Sequence, residues 1–127
     1  MSMDSRRKIL TLEQAREAAR GCHERDERVI AFVSHLEVLR AAQVQKLARL
    51  GSPLFVVLTE PESPLVPIEA RAEVAAGLRS VSYVVPAAEG APPVIEALSP
   101  CARVDDEQQD RQLTQELIEH VRSRSRT

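Results

Sequence analysis

Short runs of apolar residues alternate along the chain with segments whose apolar residues recur at the spacing of a helix face. Three of the runs are almost continuous and rich in β-branched residues, and they lie at 28–34, 53–59 and 81–85. A shorter run follows at 101–104. Such runs are typical of strands that are buried on both faces of a parallel sheet. The pattern therefore predicts four strands.

Five other segments have the pattern of helices. Thr11 and Gln14 have the spacing of a capping box, which predicts a first helix that ends near residue 25. Three further helices are predicted at 39–50, 67–79 and 92–98. A last helix carries an apolar face formed by Leu113, Leu117, Ile118 and Val121. Between the fourth strand and this helix, residues 105–110 are predicted to form an acidic loop.

The regular alternation of strands and helices indicates the α/β class. We predict a three-layer, Rossmann-like open parallel sheet of four or five strands, with helices on both faces. One domain is expected to include all of residues 1–127, with flexible ends at 1–8 and 122–127. In such a sheet, ligands bind beyond the carboxyl ends of the strands. The loops that follow Ser34, Thr59, Pro86 and Val104 are therefore the places to look for a site.

Composition excludes several classes of function. Hydrophobic residues make up 43% of the 127, which is enough for a core and argues against a disordered chain. The three aromatic residues and the absence of Trp disfavour nucleic-acid binding by base stacking. The net charge of -2 attracts neither nucleic acid nor an anionic membrane. No apolar run approaches the roughly 20 residues that span a bilayer, and the first residues do not resemble a secretion signal, so we expect a cytoplasmic protein.

Cysteine and histidine positions do not predict a metal site. Cys22 and Cys101 are not part of a CxxC pair, and a disulfide framework is not expected. His23, His35 and His120 lie far apart in the sequence. Dinucleotide-binding, phosphate-binding and esterase motifs of the types GxGxxG, GxxxxGK[ST] and GxSxG are absent from the sequence.

Residues 67–86 read PIEARAEVAAGLRSVSYVVP. This segment resembles the pattern P-x-E-x-R-x-x-x-x-x-x-L-R-x-V-D-x-V-V of cytidylyltransferase-like nucleotidyltransferases, most closely the nucleotidyltransferase domain of ADP-heptose synthase. Residues 8–13 and the spacing of the elements to about Val104 are similar to that domain as well. The resemblance implies a nucleotide ligand and a homodimer. It also implies, for an active member, transfer of a nucleotidyl group from CTP or ATP with Mg²⁺.

The chain departs from this family at the motif that carries catalysis. Family members have an HxGH motif at the start of the helix after the first strand, and its histidines stabilise charge on the α-phosphate. The aligned residues here are Arg40, Ala41, Ala42 and Gln43. The loop at 60–66 contains two glutamates and no basic residue, although the family places a lysine there. Residues 103–107 are acidic where ADP-heptose synthases have a K-G-G-D segment.

Six residues are candidates for binding a nucleotide or phosphate under this resemblance: Ser34, His35, Glu37, Arg40, Gln43 and Arg71. Arg40 is the only candidate for catalysis, since an arginine can donate to a phosphate in place of an imidazolium. Five of them have a plainer interpretation. Arg40, His35 and Gln43 suit exposed positions, and Glu37 suits the N-terminus of a helix. Arg71 suits structural pairing with Glu60, Glu62 or Glu69.

Three hypotheses follow for the function. The first is a nucleotidyltransferase-like domain that has lost catalysis and binds a nucleotide or a protein partner. The second is an active nucleotidyltransferase that uses Arg40 in place of a histidine and transfers a nucleotidyl group to a sugar or alditol phosphate. The third is an unrelated small α/β interaction protein.

Overall fold

A computed structural model describes residues 5–125 of the chain. The strands are β1 (Ile30–Ser34), β2 (Leu54–Thr59), β3 (Tyr83–Ala87) and β4 (Ala102–Asp105). The helices are α1 (Leu12–Glu24), α2 (Ala41–Leu50), α3 (Ile68–Ala76), α4 (Pro92–Leu98) and α5 (Glu107–Ser125), preceded by a short 3₁₀ helix (Ser5–Lys8). No helix among these residues is long and apolar enough to cross a membrane.

The four strands form one parallel sheet in the order β3-β2-β1-β4. Ile30 at the start of β1 is level with Leu54 of β2 and with Ala102 of β4. The chain moves outward from β1 to β3 and then crosses back to place β4 on the other side of β1. This reversal puts the topological switch point, where ligands bind in such sheets, between β1 and β4. The predicted Rossmann-like parallel sheet is confirmed, with four strands.

Helices cover both faces of the sheet, as predicted. Successive residues of a strand point to opposite faces. Phe55 and Val57 of β2 therefore belong to a core with α1 and α4, whereas Val56 and Leu58 belong to a second core with α2 and α3. Every residue of β1 and β2 is buried, which explains why these strands read as continuous apolar runs.

Local signals explain most helix ends. Thr11 caps α1 as predicted, with Gln14 N–H donating to Thr11 Oγ1 and Thr11 N–H donating to Gln14 Oε1. Gly51, at a φ of 102°, ends α2 in a conformation that side chains disfavour. Pro67 precedes the first turn of α3, and Pro92 opens α4 where its missing N–H costs no hydrogen bond.

Three predicted boundaries are wrong. The third strand is not 81–85 but Tyr83–Ala87, and it contains Pro86 because β3 is an edge strand that needs no further N–H there. The helix predicted at 67–79 ends at Ala76, with Gly77 at its cap. The acidic segment 105–110 is not a loop, since α5 begins at Glu107, whose N–H donates to Asp105 Oδ1.

The last helix differs from expectation in its apolar face. Regular structure covers Ser5–Lys8, and α5 continues to Ser125, while the flexibility of 1–8 and 122–127 stays a prediction. Residues 1–4 and 126–127 of those predicted ends lie outside the described residues. Leu117 and Val121 of the predicted apolar face are 41% and 58% exposed, because α5 contacts the sheet mainly through its first turns.

Candidate functional site

Buried polar side chains gather at the carboxyl end of the sheet, beneath the first turns of α5. Seven polar or charged residues are buried within residues 5–125, and all of them lie at this end: Ser34, His35, Gln43, Thr59, Arg71, Asp106 and Asp110. Buried polar groups require hydrogen-bond partners, so this clustering marks an organised network rather than ordinary core packing.

Asp110 is the centre of this network. The Ser34 hydroxyl donates to Asp110 Oδ2 at 2.6 Å, and the His35 main-chain N–H donates to the same oxygen at 2.9 Å. The side-chain amide of Gln43 is 3.5 Å from Oδ1. Burial raises the pKa of the Asp110 carboxyl, while the bonds from Ser34 and His35 act in the opposite direction. These contacts attach α5 to the end of β1.

Glu107 makes the second connection between α5 and the strand ends. The Thr59 hydroxyl, at the end of β2, donates to Glu107 Oε2 at 2.9 Å. His35 Nε2 lies 3.3 Å from the same oxygen but has no hydrogen-bond partner. The imidazole is 2% exposed, and a protonated ring would form an ion pair with Glu107. Of the two interpretations of His35, the exposed turn residue is wrong, because the side chain belongs to the buried network.

Arg71 holds the loops after β1 and β2 together. Its Nη1 donates to the carbonyl oxygens of His35 and Thr59 at 2.8 and 2.9 Å, and its Nε donates to the Val66 carbonyl at 3.0 Å. Its Nη2 pairs with Glu60, one of the three carboxylates predicted as partners. Four of the five guanidinium N–H groups therefore have partners inside the protein, and the side chain is buried rather than directed to an open surface.

Glu37, Arg40 and Gln43 lie around the start of α2. Glu37 Oε2 accepts hydrogen bonds from the main-chain N–H groups of Leu65 and Val66 and so fixes the loop after β2. Gln43 is buried and accepts from the Arg40 N–H through Oε1 at 2.9 Å. Only the Arg40 side chain is exposed, with Nη2 3.8 Å from Glu116. Of the six predicted residues, Ser34, His35 and Gln43 meet at Asp110, whereas Glu37, Arg40 and Arg71 do not.

A cavity of about 240 Å³ lies beside this network. It is lined by the loop after β1, the loop after β2 and the middle of α5, including His35, Glu37, Glu62, Arg111 and Thr114. Arg111 is exposed and makes no ion pair or hydrogen bond with the described residues. It is therefore the cation at this cavity that remains available for a ligand.

Glu107, Asp110 and Arg111, which α5 contributes, were not among the predicted site residues. Glu107 and Asp110 fall in the segment 105–110, which was predicted to be a loop rather than part of a helix. A signal was present, since Asp105 is a residue type that caps helices and it precedes two turns of good helix formers. Counting the helix from Asp105 would have placed Glu107 and Asp110 on the turns that follow the sheet.

The remaining reactive groups do not form a metal or thiol site. Among residues 5–125, no cluster of three or more histidine, cysteine or acidic side chains is arranged to hold a metal ion. Asp106 is instead bonded to Lys46 Nζ at 2.7 and 2.9 Å. Cys22 is buried in the core, and burial raises the pKa of its thiol, which disfavours a thiolate nucleophile.

Comparison with models of known protein families and with curated proteins finds no match to this chain.

Proposed function

We propose that this chain is a nucleotidyltransferase-like domain that does not transfer nucleotides and acts as a binding module. One observation carries the proposal. At the carboxyl end of the sheet, the edge at which parallel α/β sheets bind ligands, α5 inserts the carboxylates of Asp110 and Glu107 against the ends of β1 and β2. The donors at the strand ends, such as the Ser34 and Thr59 hydroxyls, are therefore already bonded to the protein's own carboxylates and are not available to a phosphate chain.

Charge at this edge also disfavours a triphosphate. Asp106, Glu107 and Asp110 lie together at the start of α5, and Glu37 and Glu60 lie on the facing loops. The two nearest internal cations are already paired, Lys46 with Asp106 and Arg71 with Glu60. Carboxylates beside a triphosphate repel it by Coulomb's law unless a metal bridges them. Among the described residues, no group of three or more of these side chains is arranged to hold a metal ion on its own.

The cavity beside the network supports a smaller ligand. Its volume of about 240 Å³ is below the ~300–1,000 Å³ that is usual for small-molecule sites. Arg111 can form charge-assisted hydrogen bonds with a single phosphate group. Under this proposal a nucleoside or its monophosphate binds more tightly than the triphosphate.

A thermal-shift series tests this proposal. We expect CMP or AMP to raise the melting temperature more than CTP or ATP, because a ligand that binds only the folded state stabilises it. Arg111→Ala should abolish the shift, while Arg79→Ala, which removes an exposed arginine outside the site, should keep it. A larger shift with the triphosphates, or an unchanged shift in Arg111→Ala, would contradict the proposed ligand. No shift with any nucleotide would favour the third hypothesis, an unrelated α/β interaction protein.

An active enzyme that uses Arg40 is the second candidate, and one observation favours it. Arg40 precedes the first turn of α2 with an exposed side chain, so its guanidinium could reach a ligand in front of that helix. Pyrophosphate release from CTP or ATP with Mg²⁺ and a panel of sugar and alditol phosphates separates the two candidates. We expect no release. Release that disappears in Arg40→Ala would establish the enzyme and refute the binding module.

A further inference from the structure

The outer edge of β4 is unpaired. Within residues 5–125, β4 pairs with β1 and with no other strand. Ala102 N–H donates to the Val29 carbonyl and Asp106 N–H donates to the Val33 carbonyl, so alternation along the strand turns the N–H and C=O groups of Arg103 and Asp105 away from β1. An edge strand with outward main-chain groups is a template for pairing with another strand.

Arg103 and Asp105 make this edge complementary to itself. Both are exposed on the same face of β4, on either side of the half-buried Val104, with Arg103 Nη2 3.5 Å from Asp105 Oδ2. If a second β4 pairs in the antiparallel direction with Val104 opposite Val104, each Arg103 lies opposite an Asp105 of the other copy. Opposite charges in directly facing positions stabilise a sheet, and two-fold symmetry forms the pair twice.

Other registers are less favourable for the same two residues. A two-fold axis at Arg103 would place arginine opposite arginine, and one at Asp105 would place aspartate opposite aspartate. Like charges in facing positions destabilise the pairing. The side-chain charges therefore select Val104 as the centre, and in this register the outward main-chain groups of Arg103 face those of Asp105 in the other copy.

A groove beside β4 extends the complementarity. It has a volume of about 390 Å³ and is lined by apolar side chains, including Ala102 and Val104, and by Arg28 and Arg49. Neither arginine has a partner among the described residues. In an antiparallel pair, the start of one β4 lies beside the end of the other. The two arginines of one copy therefore lie near the acidic segment 105–107 of the other copy.

We propose that two copies of this chain associate through their β4 edges. The two β4 strands pair in the antiparallel direction with Val104 opposite Val104, and this pairing joins the two sheets into one. The interface uses the edge at β4 and leaves the cavity at Arg111 open. The proposed dimer can therefore be tested independently of the proposed ligand.

Sedimentation velocity tests this interface when it is applied to the natural chain and to two variants that each reverse one charge. We expect a concentration-dependent dimer for the natural sequence. Arg103→Asp should raise the dimer dissociation constant at least about tenfold, since it converts two attractive pairs into two repulsive ones. Asp105→Arg should do the same. An equimolar mixture of the two variants should form a heterodimer, because each aspartate then faces an arginine.

Controls keep the result interpretable. Arg25→Asp reverses an exposed arginine that also pairs with a carboxylate two residues away, Glu27, at the end of α1, and it should leave the dimer unchanged. Asp105 also accepts from Glu107 N–H, so circular dichroism must show that Asp105→Arg retains its helices. If that variant fails to fold, the salt dependence of the dimer dissociation constant replaces it as the test. Added salt should weaken the natural dimer and tighten that of Arg103→Asp, because it screens both attraction and repulsion.

Two outcomes would overturn the proposal. One is a natural chain that remains monomeric up to about 1 mM, where even a weak specific contact would be visible. The other is a dimer whose dissociation constant is the same in Arg103→Asp as in Arg25→Asp.

Discussion

At the scale of single residues, Arg71 is the side chain on which the carboxyl end of the sheet depends most. Its buried guanidinium donates to three main-chain carbonyl groups and pairs with Glu60. Two of those carbonyls belong to His35 and Thr59, the residues that end or follow the central strands. The fixed fork of an arginine suits this arrangement, because it presents several donors in one plane.

Arg71→Ala is expected to lower the free energy of unfolding by at least about 3 kcal/mol. The substitution leaves buried carbonyl groups without donors and Glu60 without its cation. Arg71→Lys should also be destabilised, since a single ammonium cannot replace the planar fork. Urea titration followed by circular dichroism measures both.

The matched control for these variants is Arg79→Ala, which removes an exposed arginine just after the same helix. It should change stability by no more than about 0.5 kcal/mol. A loss below about 1 kcal/mol in Arg71→Ala would contradict the structural role and would return Arg71 to the candidates for ligand binding.

The candidate site could be predicted only in part from the sequence. Ser34 and His35 were singled out because they end or follow a buried strand, and Gln43 because it aligns with the second histidine of the HxGH motif. Their common partner was not found, since Asp110 lies 76 residues from Ser34 in the chain. Local patterns indicate which element a residue belongs to, but the contact between two distant elements depends on how they pack. For Arg71, local spacing was sufficient, because Glu60 lies on the adjoining loop.

At the scale of elements, α5 is the feature that the structure adds to the predicted fold. Its first turns are attached to β1 and β2 through Asp110 and Glu107, while Leu117 and Val121 further along remain exposed. The strands and the first four helices were predictable because continuous apolar runs mark the strands, and the period of 3.6 residues, caps and prolines mark the helices. The start of α5 was not, since an acidic polar segment has no apolar period.

Asp110 should make the attachment of α5 sensitive to pH. Its pKa in the folded chain is raised above the ordinary 3.8, mainly by burial. The folded state therefore binds more protons than the unfolded state between pH 3.8 and the raised value. Stability contributed at this group consequently falls as the pH rises through that window, by at most about 1.4 kcal/mol per pH unit.

Comparison with Asp110→Asn isolates this effect. The free energy of unfolding of the natural chain minus that of the variant should fall from pH 3.8 upward and become level above the raised pKa. Ser34→Ala should extend the fall to higher pH, because the Ser34 hydroxyl bond lowers the pKa of Asp110. A difference that is flat with pH, or that rises with pH, would show that the carboxyl is not desolvated as described.

At the scale of the whole molecule, the two cores lie on opposite faces of one sheet. Neighbouring residues of the same strand contribute to different cores, as Val56 and Val57 do. Neither core can be lost without exposing the strands that carry the other. We therefore expect residues 5–125 to unfold as one cooperative unit, which is the behaviour of a single small domain.

Leu47→Ala tests this cooperativity, because the only tyrosine in the chain reports on the opposite face. Leu47 is fully buried in the core under α2 and α3, whereas Tyr83 packs on the other core with its ring centre 4.9 Å from that of Phe55. The cavity left by Leu47→Ala should cost about 2–5 kcal/mol. In urea, Tyr83 fluorescence and far-ultraviolet circular dichroism should shift to the same lower midpoint.

Leu98→Ala supplies the reciprocal measurement, since Leu98 is equally buried in the core that contains Tyr83. A cooperative domain requires the two signals to coincide in both variants, because the shared strands transmit the loss of either core. If Leu47→Ala moved the circular dichroism transition and left the Tyr83 transition in place, the two faces would be unfolding separately. The two cores would then have separate free energies of unfolding, and the domain would not unfold in a single cooperative transition.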